Sequence, residues 1–385
     1  MKIVHLCLGA FFPDGYSYQE NMLPKFHQKM GYDVEVIASL VTFDKDGHFT
    51  LYPQAKTYRN EYGIRVTRLD YKKPRKLYRI FRRFEGLPEA LEKSAPDILF
   101  VHNCQFMDID VVVRYVKKHP ITVFVDNHAD FSNSAKNLIS RKILHGLLWK
   151  HCAHIIEPYT TRFYGVLPAR VDFLKSVYHL PAEKCELLVM GADDEAVKAA
   201  AVPEVRKAVR EQCGIAEDDF LVITGGKIDS FKTQTLLLME AVQSIKNHQV
   251  KLIVFGSVTP ELKEKVKALA DGVKVQYIGW IRSEESYRYF AASDLVVFPG
   301  RHSVFWEQVA AQGIPMLVKD WPGTHHIDLG GNVYFLKEDS AEEIQEEIEA
   351  LIEHPQTYQK MKSVAVEKGM QAFSYSHIAR AAIGL

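Results

Sequence analysis

The sequence predicts an α/β fold with two doubly wound parallel sheets, and three observations predict it. Short β-branched runs that are apolar on both faces recur along the chain, as strands covered by helices on each side require. Longer helical patterns lie between them, which is βα alternation. The alternation breaks at a polar, Ala-rich, charged stretch over residues 191–219 and then restarts. A length of 385 residues is enough for two domains, each with a core of its own.

In order, residues 2–8, 33–38, 64–69, 97–102, 122–125, 153–157 and 186–190 read as strands of the first series, with helices at 19–29 and 107–118 among them. The second series has strands at 221–224, 251–255, 273–278, 294–298, 316–319 and 332–336. Its helices fall at 235–246, 260–270, 283–292 and 305–312, and two terminal helices follow at 341–352 and 356–373. The expected domains are 1–195 and 196–373, with a last helix, 374–385, packing back on the first. Two such sheets are expected to turn their carboxyl ends toward a central cleft, where ligands of open α/β sheets bind.

Composition narrows the function. Lys plus Arg and Asp plus Glu number 48 each, so the chain is formally neutral. That excludes a dedicated nucleic-acid binder, which would carry a large positive excess. The neutrality is a cancellation: 27 basic and 23 acidic residues precede position 196, and 21 basic and 25 acidic follow it. Five scattered cysteines form no CxxC pair, so no zinc site or disulfide framework is expected and the reduced cytoplasm is the default compartment. No apolar run approaches the roughly 18 residues of a membrane span.

Two stretches suit an anionic membrane surface. Residues 72–83 carry seven Lys/Arg and no acid, interleaved with Leu77, Tyr78, Ile80 and Phe81, and residues 136–150 mix Arg141, Lys142 and Lys150 with Leu144, Leu147 and Trp149. The alternative is a surface helix whose cations snorkel over core. A peripheral place on the inner face of the plasma membrane is therefore one of two expected locations.

Chemistry is expected in the loops that follow strands. Lys227 and Lys232 bracket a short loop after a buried strand and before a helix, where two ammonium groups and free N–H groups would suit a diphosphate. A solvated pair of lysines fits the spacing equally. After the strand ending at Phe298, a polar turn with Ser303 as N-cap would open a helix that bears Glu307 one turn in. That carboxylate would accept from a ribose diol, or else serve the helix dipole; its neighbours Phe305, Trp306, Val309 and Ala310 are apolar, which favours the first. His102 and His128 each stand at the carboxyl end of a first-domain strand, the position that lifts them above ordinary structural histidines. The loop at 9–17 holds Gly9 and Gly15 but no GxGxxG, which argues against a dinucleotide.

These residues resemble retaining GT-B glycosyltransferases of the family 4 type. Gly226-Lys-Ile-Asp-Ser-Phe-Lys232 is similar to the family's GR-x4-K loop, Gly191-Ala-Asp193 to its NGVD segment, and Tyr277-Ile-Gly279-Trp280 to the strand and Gly loop beside the base. Residues 291–299 resemble the strand before the signature helix, Glu307-Gln-Val-Ala-Ala-Gln-Gly313-Ile-Pro315 the E-A-x-A-x-G-x-P run, and residues 373–379 the closing FSW-x2-IA helix.

The resemblance implies a metal-independent, cofactor-free transferase of hexosyl or N-acetylhexosaminyl groups acting in cell-surface polysaccharide synthesis. Its donor would be a nucleotide sugar, a UDP-sugar by preference, and its acceptor a glycan or lipid-linked glycan. It places Gly15, Lys227, Lys232, Gly279, Trp280, His302, Ser303 and Glu307 at the donor, His128 at the catalytic centre, and Tyr16, His102 and Asp130 at the acceptor. One departure is definite: the family signature E-x7-E has a first glutamate where this chain has Pro299, with Arg301-His302-Ser303 in a shortened loop. That leaves the donor sugar open, and keeps a nucleotide-sugar 2-epimerase and a noncatalytic sugar-nucleotide or glycan-binding protein as alternatives.

Overall fold

A computed structural model describes residues 1–43, 49–135, 137–230 and 232–385. The chain forms two compact units, Met1–Val189 with Ile378–Leu385, and Met190–His377.

The strands of the first unit are β1 (Lys2–Cys7), β2 (Asp33–Ser39), β3 (Val41–Phe43), β4 (Phe49–Leu51), β5 (Lys56–Arg59), β6 (Arg65–Leu69), β7 (Ile98–His102), β8 (Thr122–Asn127), β9 (Arg162–Gly165) and β10 (Cys185–Leu187). Eight of them make one sheet in the order β10-β9-β8-β7-β1-β2-β6-β5. Only the β5–β6 pairing in that sheet is antiparallel. All five residues of β7 are buried, as a central parallel strand covered on both faces must be. The order reverses between β1 and β7, so the loops leaving these two strands flank the topological switch point of this unit.

The second unit repeats the plan with β11 (Phe220–Gly225), β12 (Val250–Phe255), β13 (Val275–Tyr277), β14 (Leu295–Phe298), β15 (Met316–Lys319) and β16 (Val333–Leu336). All are parallel, in the order β13-β12-β11-β14-β15-β16. Here the switch point lies between β11 and β14. Leu221, Val222, Ile223, Leu252, Val254, Leu295 and Val297 are all fully buried along it.

Several sequence expectations need correction. Of residues 153–157, read as a strand, 153–156 belong to the helix Lys150–Ile156 and Glu157 opens the 3-10 turn Glu157–Tyr159. The buried residues of the helix are Cys152, Ala153 and Ile156, a helical spacing that a short apolar run does not distinguish from a strand. The strand expected there is β9, a few residues later. The stretch 191–219, where the βα alternation breaks, contains the helices Asp194–Ala200, capped by the Asp193 carboxylate, and Pro203–Gln212. Two features were not foreseen, the hairpin β3–β4 and the antiparallel edge strand β5. Among the described residues, no helix is long and apolar enough to cross a membrane.

Of the basic stretch 72–83, Lys72 and Arg83 lie against Asp108, Arg75 pairs with Asp70, and Arg82 donates to the carbonyls of Gly9 and Gln105. Lys73, Lys76 and Arg79 are exposed beside Leu77 and Ile80. In the stretch 136–150, Lys136 lies outside the described residues, and Leu138, Ile139, Ile143 and Leu147 are exposed.

Candidate functional site

At the switch point of the second unit, the ends of β11 and β12 are drawn together by glycine. A Cβ on Gly225 would stand 2.2 Å from the Phe255 ring, and one on Gly256, at φ +130°, would stand 1.8 Å from the Gly226 carbonyl oxygen. Only glycine fits there, and the result is a wall made of backbone. Of these glycines, Gly225 and Gly226 line a pocket, together with Thr224, Lys227, Ile228, Lys232, Thr235, Phe255, Phe298, Pro299, Gly300, Arg301 and Ser303. Thr235 is in the first turn of the helix Gln234–Ser244, so free N–H groups open onto the same space.

Three cations share this pocket. Lys227 is exposed and lies 3.6 Å from Asp229. Lys232 is more enclosed: burial lowers its pKa against the pull of Asp229, and Arg301 and Lys227 push the same way as burial. Arg301, which also stands over the Trp321 ring, was not singled out as a binding residue by sequence. Its only sequence signal is a cation in the shortened loop after β14. Gly279, at φ +80°, follows β13, and Trp280 beside it is 68% exposed, open for a planar ring to stack on.

Glu307 is fully buried, and its Oε1 accepts from His302 Nε2 at 2.8 Å and His326 Nε2 at 2.9 Å. Burial works against its charge, but the two histidines outweigh this and hold the carboxyl well below the usual carboxylate range. Its Oε2 has no hydrogen-bond partner in the protein, so one buried acceptor is left over for a ligand hydroxyl. His326 was not anticipated, because it arrives from a 3-10 turn 19 residues downstream with no motif around it. Ser303 is not the N-cap. The helix Phe305–Ala311 is preceded by Val304 and has no side-chain cap, and Ser303 faces the pocket instead.

A depressed carboxylate contributes stability that is full above the unfolded value, about 4.3, and is lost as pH falls through the folded one. Urea unfolding of the protein should therefore hold its midpoint from pH 7 to about 5 and weaken below about pH 4. Glu307→Gln, which keeps one acceptor but cannot titrate, should flatten that acid limb. Equal acid slopes in the two proteins would exclude the histidine clamp as its origin.

In the first unit, the loop after β1 rests on Arg68, which is fully buried. Its guanidinium donates to the carbonyls of Phe12 and Ser39, to Asp14 Oδ2 at 3.2 Å and to the Tyr58 hydroxyl. Asp14 Oδ2 also accepts from Tyr52 and Tyr58. Next along the loop, the Gly15 N–H donates to Glu61, and Tyr16 stacks with Tyr18 and meets Phe43.

His128 is partly exposed in the loop after β8, its Nε2 3.4 Å from Asp126 Oδ2 and 3.7 Å from Glu20 Oε1. Burial opposes its charge, yet Glu20 and Asp126 overcome this and raise its pKa. Two residues expected at the acceptor have partners inside this unit. His102 is fully buried with both ring nitrogens engaged, by His5 and by Asp126. Asp130 accepts from the Ser132 and Asn133 N–H groups and pairs with Arg170. Both side chains are buried.

Residues 205–368, within the second unit, match the family described as glycosyl transferases group 1. No curated protein matches the chain in sequence. Among solved structures, HepE of Anabaena in complex with UDP is similar at a TM-score of 0.69 and 16% identity, over 99% of this chain and 98% of that one. A glycosyltransferase from Rickettsia africae gives a TM-score of 0.71 at 14% identity, covering 99% and 96%. The UDP-GlcNAc 2-epimerase of Neisseria meningitidis bound to UDP-GlcNAc gives 0.65 at 14%, covering 99% of each chain. The chain thus has the GT-B fold, and the similarity to glycosyl transferases group 1 lies within its second unit.

Proposed function

We propose that the protein transfers a sugar, with retention and without a metal, from a nucleotide-sugar donor to a glycan or lipid-linked glycan acceptor. The observation that carries this reading is the pocket at the β11/β14 switch point, where Lys227, Lys232, Arg301 and free helix N–H groups surround the exposed backbone of Gly225 and Gly226. This is a site for a diphosphate, and a departing diphosphate is the largest charge that develops when a nucleotide sugar reacts. Glu307 offers its unpartnered oxygen to the ribose, Trp280 its exposed ring to the base, and His302 and Ser303 stand in the loop where the family's first glutamate would be. In the first unit His128 is the group assigned to the reacting sugar and acceptor. UDP is the favoured nucleotide, a choice supported by the UDP complexes of HepE.

A second reading has one observation behind it, the fold shared with a UDP-GlcNAc 2-epimerase. Incubation with the donor alone separates the two, because an epimerase changes the donor with no acceptor present.

Thermal unfolding in the presence of UDP, GDP or ADP tests the site. A matching nucleotide at about 100 times its Kd adds about 2.7 kcal/mol, and Tm rises further with the logarithm of its concentration. Indifference to all three would overturn the assignment of the pocket, and loss of transfer on adding EDTA would overturn the metal-free mechanism.

A further inference from the structure

Behind His128 the first unit holds a string of buried rings. The Ala379 carbonyl oxygen faces His27 Nε2 at 2.8 Å, His27 Nδ1 faces His5 Nε2 at 3.0 Å, and His5 Nδ1 faces His102 Nε2 at 2.9 Å. His102 Nδ1 then faces Asp126 Oδ2 at 2.7 Å. His5, His27, His102 and Asp126 are each fully buried, and Phe100 packs against both His5 and His102.

Hydrogen counting constrains this string. It has four contacts, and each is a hydrogen bond only if one hydrogen lies in it. Both ends, a carbonyl and a carboxylate, are acceptors. Three neutral imidazoles supply three hydrogens. With three, one of the four contacts would set lone pair against lone pair at hydrogen-bond distance inside the protein, where unsatisfied polar atoms are costly. A fourth hydrogen completes all four bonds.

The place of that hydrogen follows from the ends. Asp126 also accepts the Asn103 N–H through Oδ1 and lies beside His128, and although burial disfavours its charge, His102 and His128 hold its carboxyl below the usual range. His5 and His27 are kept neutral by burial, His27 pushed down to about 4. Of the three rings only His102 faces a carboxylate, at 2.7 Å, so the fourth hydrogen, and with it the cation, belongs to the His102–Asp126 pair. His5 and His27 pass its polarity outward to Ala379, whose carbonyl is in the unsatisfied last turn of the helix Tyr375–Ala382, the helix end that favours positive charge. The other charged groups at this place are Glu20 and Arg170, which face His128, and Arg68 and Glu20, which act on the Cys7 thiol.

We infer that His27, His5 and His102 form a proton-holding relay that keeps an imidazolium–carboxylate pair, His102 and Asp126, beneath His128 and so sets the charge state of His128. The four are positioning residues, since they act through His128. The catalytic meaning of the relay rests on the role proposed for His128; its proton count does not.

The count is read directly by NMR of histidine-labelled full-length protein. One of the three buried rings should remain an imidazolium from pH 6 to 9, far above an ordinary histidine. Three neutral rings at pH 8 would overturn the inference, whatever the activity. The relay itself is tested by two variants. His27→Leu leaves His5 Nε2 without a partner, so three hydrogens become two and two neutral rings suffice. The added proton is then released, Asp126 stands uncompensated, and the His128 titration should move up by about one pH unit. His27→Gln keeps an N–H for Ala379 and an oxygen for His5, so acceptors remain at both ends and the His128 titration should stay at the wild-type value. Equal behaviour of the two variants would overturn the relay. A wild-type protein with the expected imidazolium but no transfer from any nucleotide sugar would sink the functional reading and leave the relay standing.

Discussion

Replacing Lys232 with alanine should lower kcat/KM for sugar transfer by about 100- to 1000-fold, the usual cost of removing one preorganised charge from a developing anion. The same variant should lose most of the thermal shift given by nucleotide. The argument turns on enclosure. Lys232 is desolvated before any ligand arrives and is crowded by Lys227 and Arg301, with Asp229 pulling the other way. An arriving diphosphate relieves that repulsion and meets a charge that has already given up much of its water. Lys227 makes the comparison sharp. Its side chain is 61% exposed and pairs with Asp229, so water screens it, and Lys227→Ala should cost about tenfold or less. If the two substitutions were equally damaging in steady-state kinetics, enclosure would not be the source of the effect.

The largest expected effect on stability belongs to Arg68. Truncation to alanine leaves the carbonyls of Phe12 and Ser39 without their buried donor and Asp14 without its cation, and should destabilise the first unit by about 3 kcal/mol. A fall in the urea midpoint of that unit measures it. Because these partners hold the loop that carries Gly15 and Tyr16, proteolysis near residues 11–16 should quicken as well. Arg68→Lys should recover little of the loss, since an ammonium cannot span the directions a guanidinium fork serves. A fully stable alanine variant would show that the network is a consequence of the fold and not one of its supports.

Much of the architecture could be read from the chain because it depends on local pattern. Strands buried on both faces, such as β7 and β11, declare themselves as unbroken apolar runs, and Lys227, Lys232 and Glu307 sit at strand ends where binding loops must be. The apolar neighbours of Glu307 already indicated a carboxylate out of water. What could not be read depends on contacts distant in sequence. His5 and His102 are 97 residues apart, and His27 meets a carbonyl 352 residues away, so His5 and His27 looked like two of 16 unremarkable histidines, and His102, singled out by its strand-end place, gave no sign of its ring partner. His326 reaches Glu307 in the same way. Helix against strand at 150–156 failed for a different reason: seven residues hold too few turns for a period to show.

The wall of Gly225, Gly226 and Gly256 has a consequence for redesign. A surface of bare backbone offers no side chain to exchange, and at Gly225 and Gly256 even one added methyl collides with a neighbour. Point mutation cannot tune what this wall accepts; it can only break it. A library meant to change the donor should leave those three codons fixed and place its diversity at Trp280, Arg301, His302 and Ser303, on the opposing loops, where new chemistry enters without moving the strands.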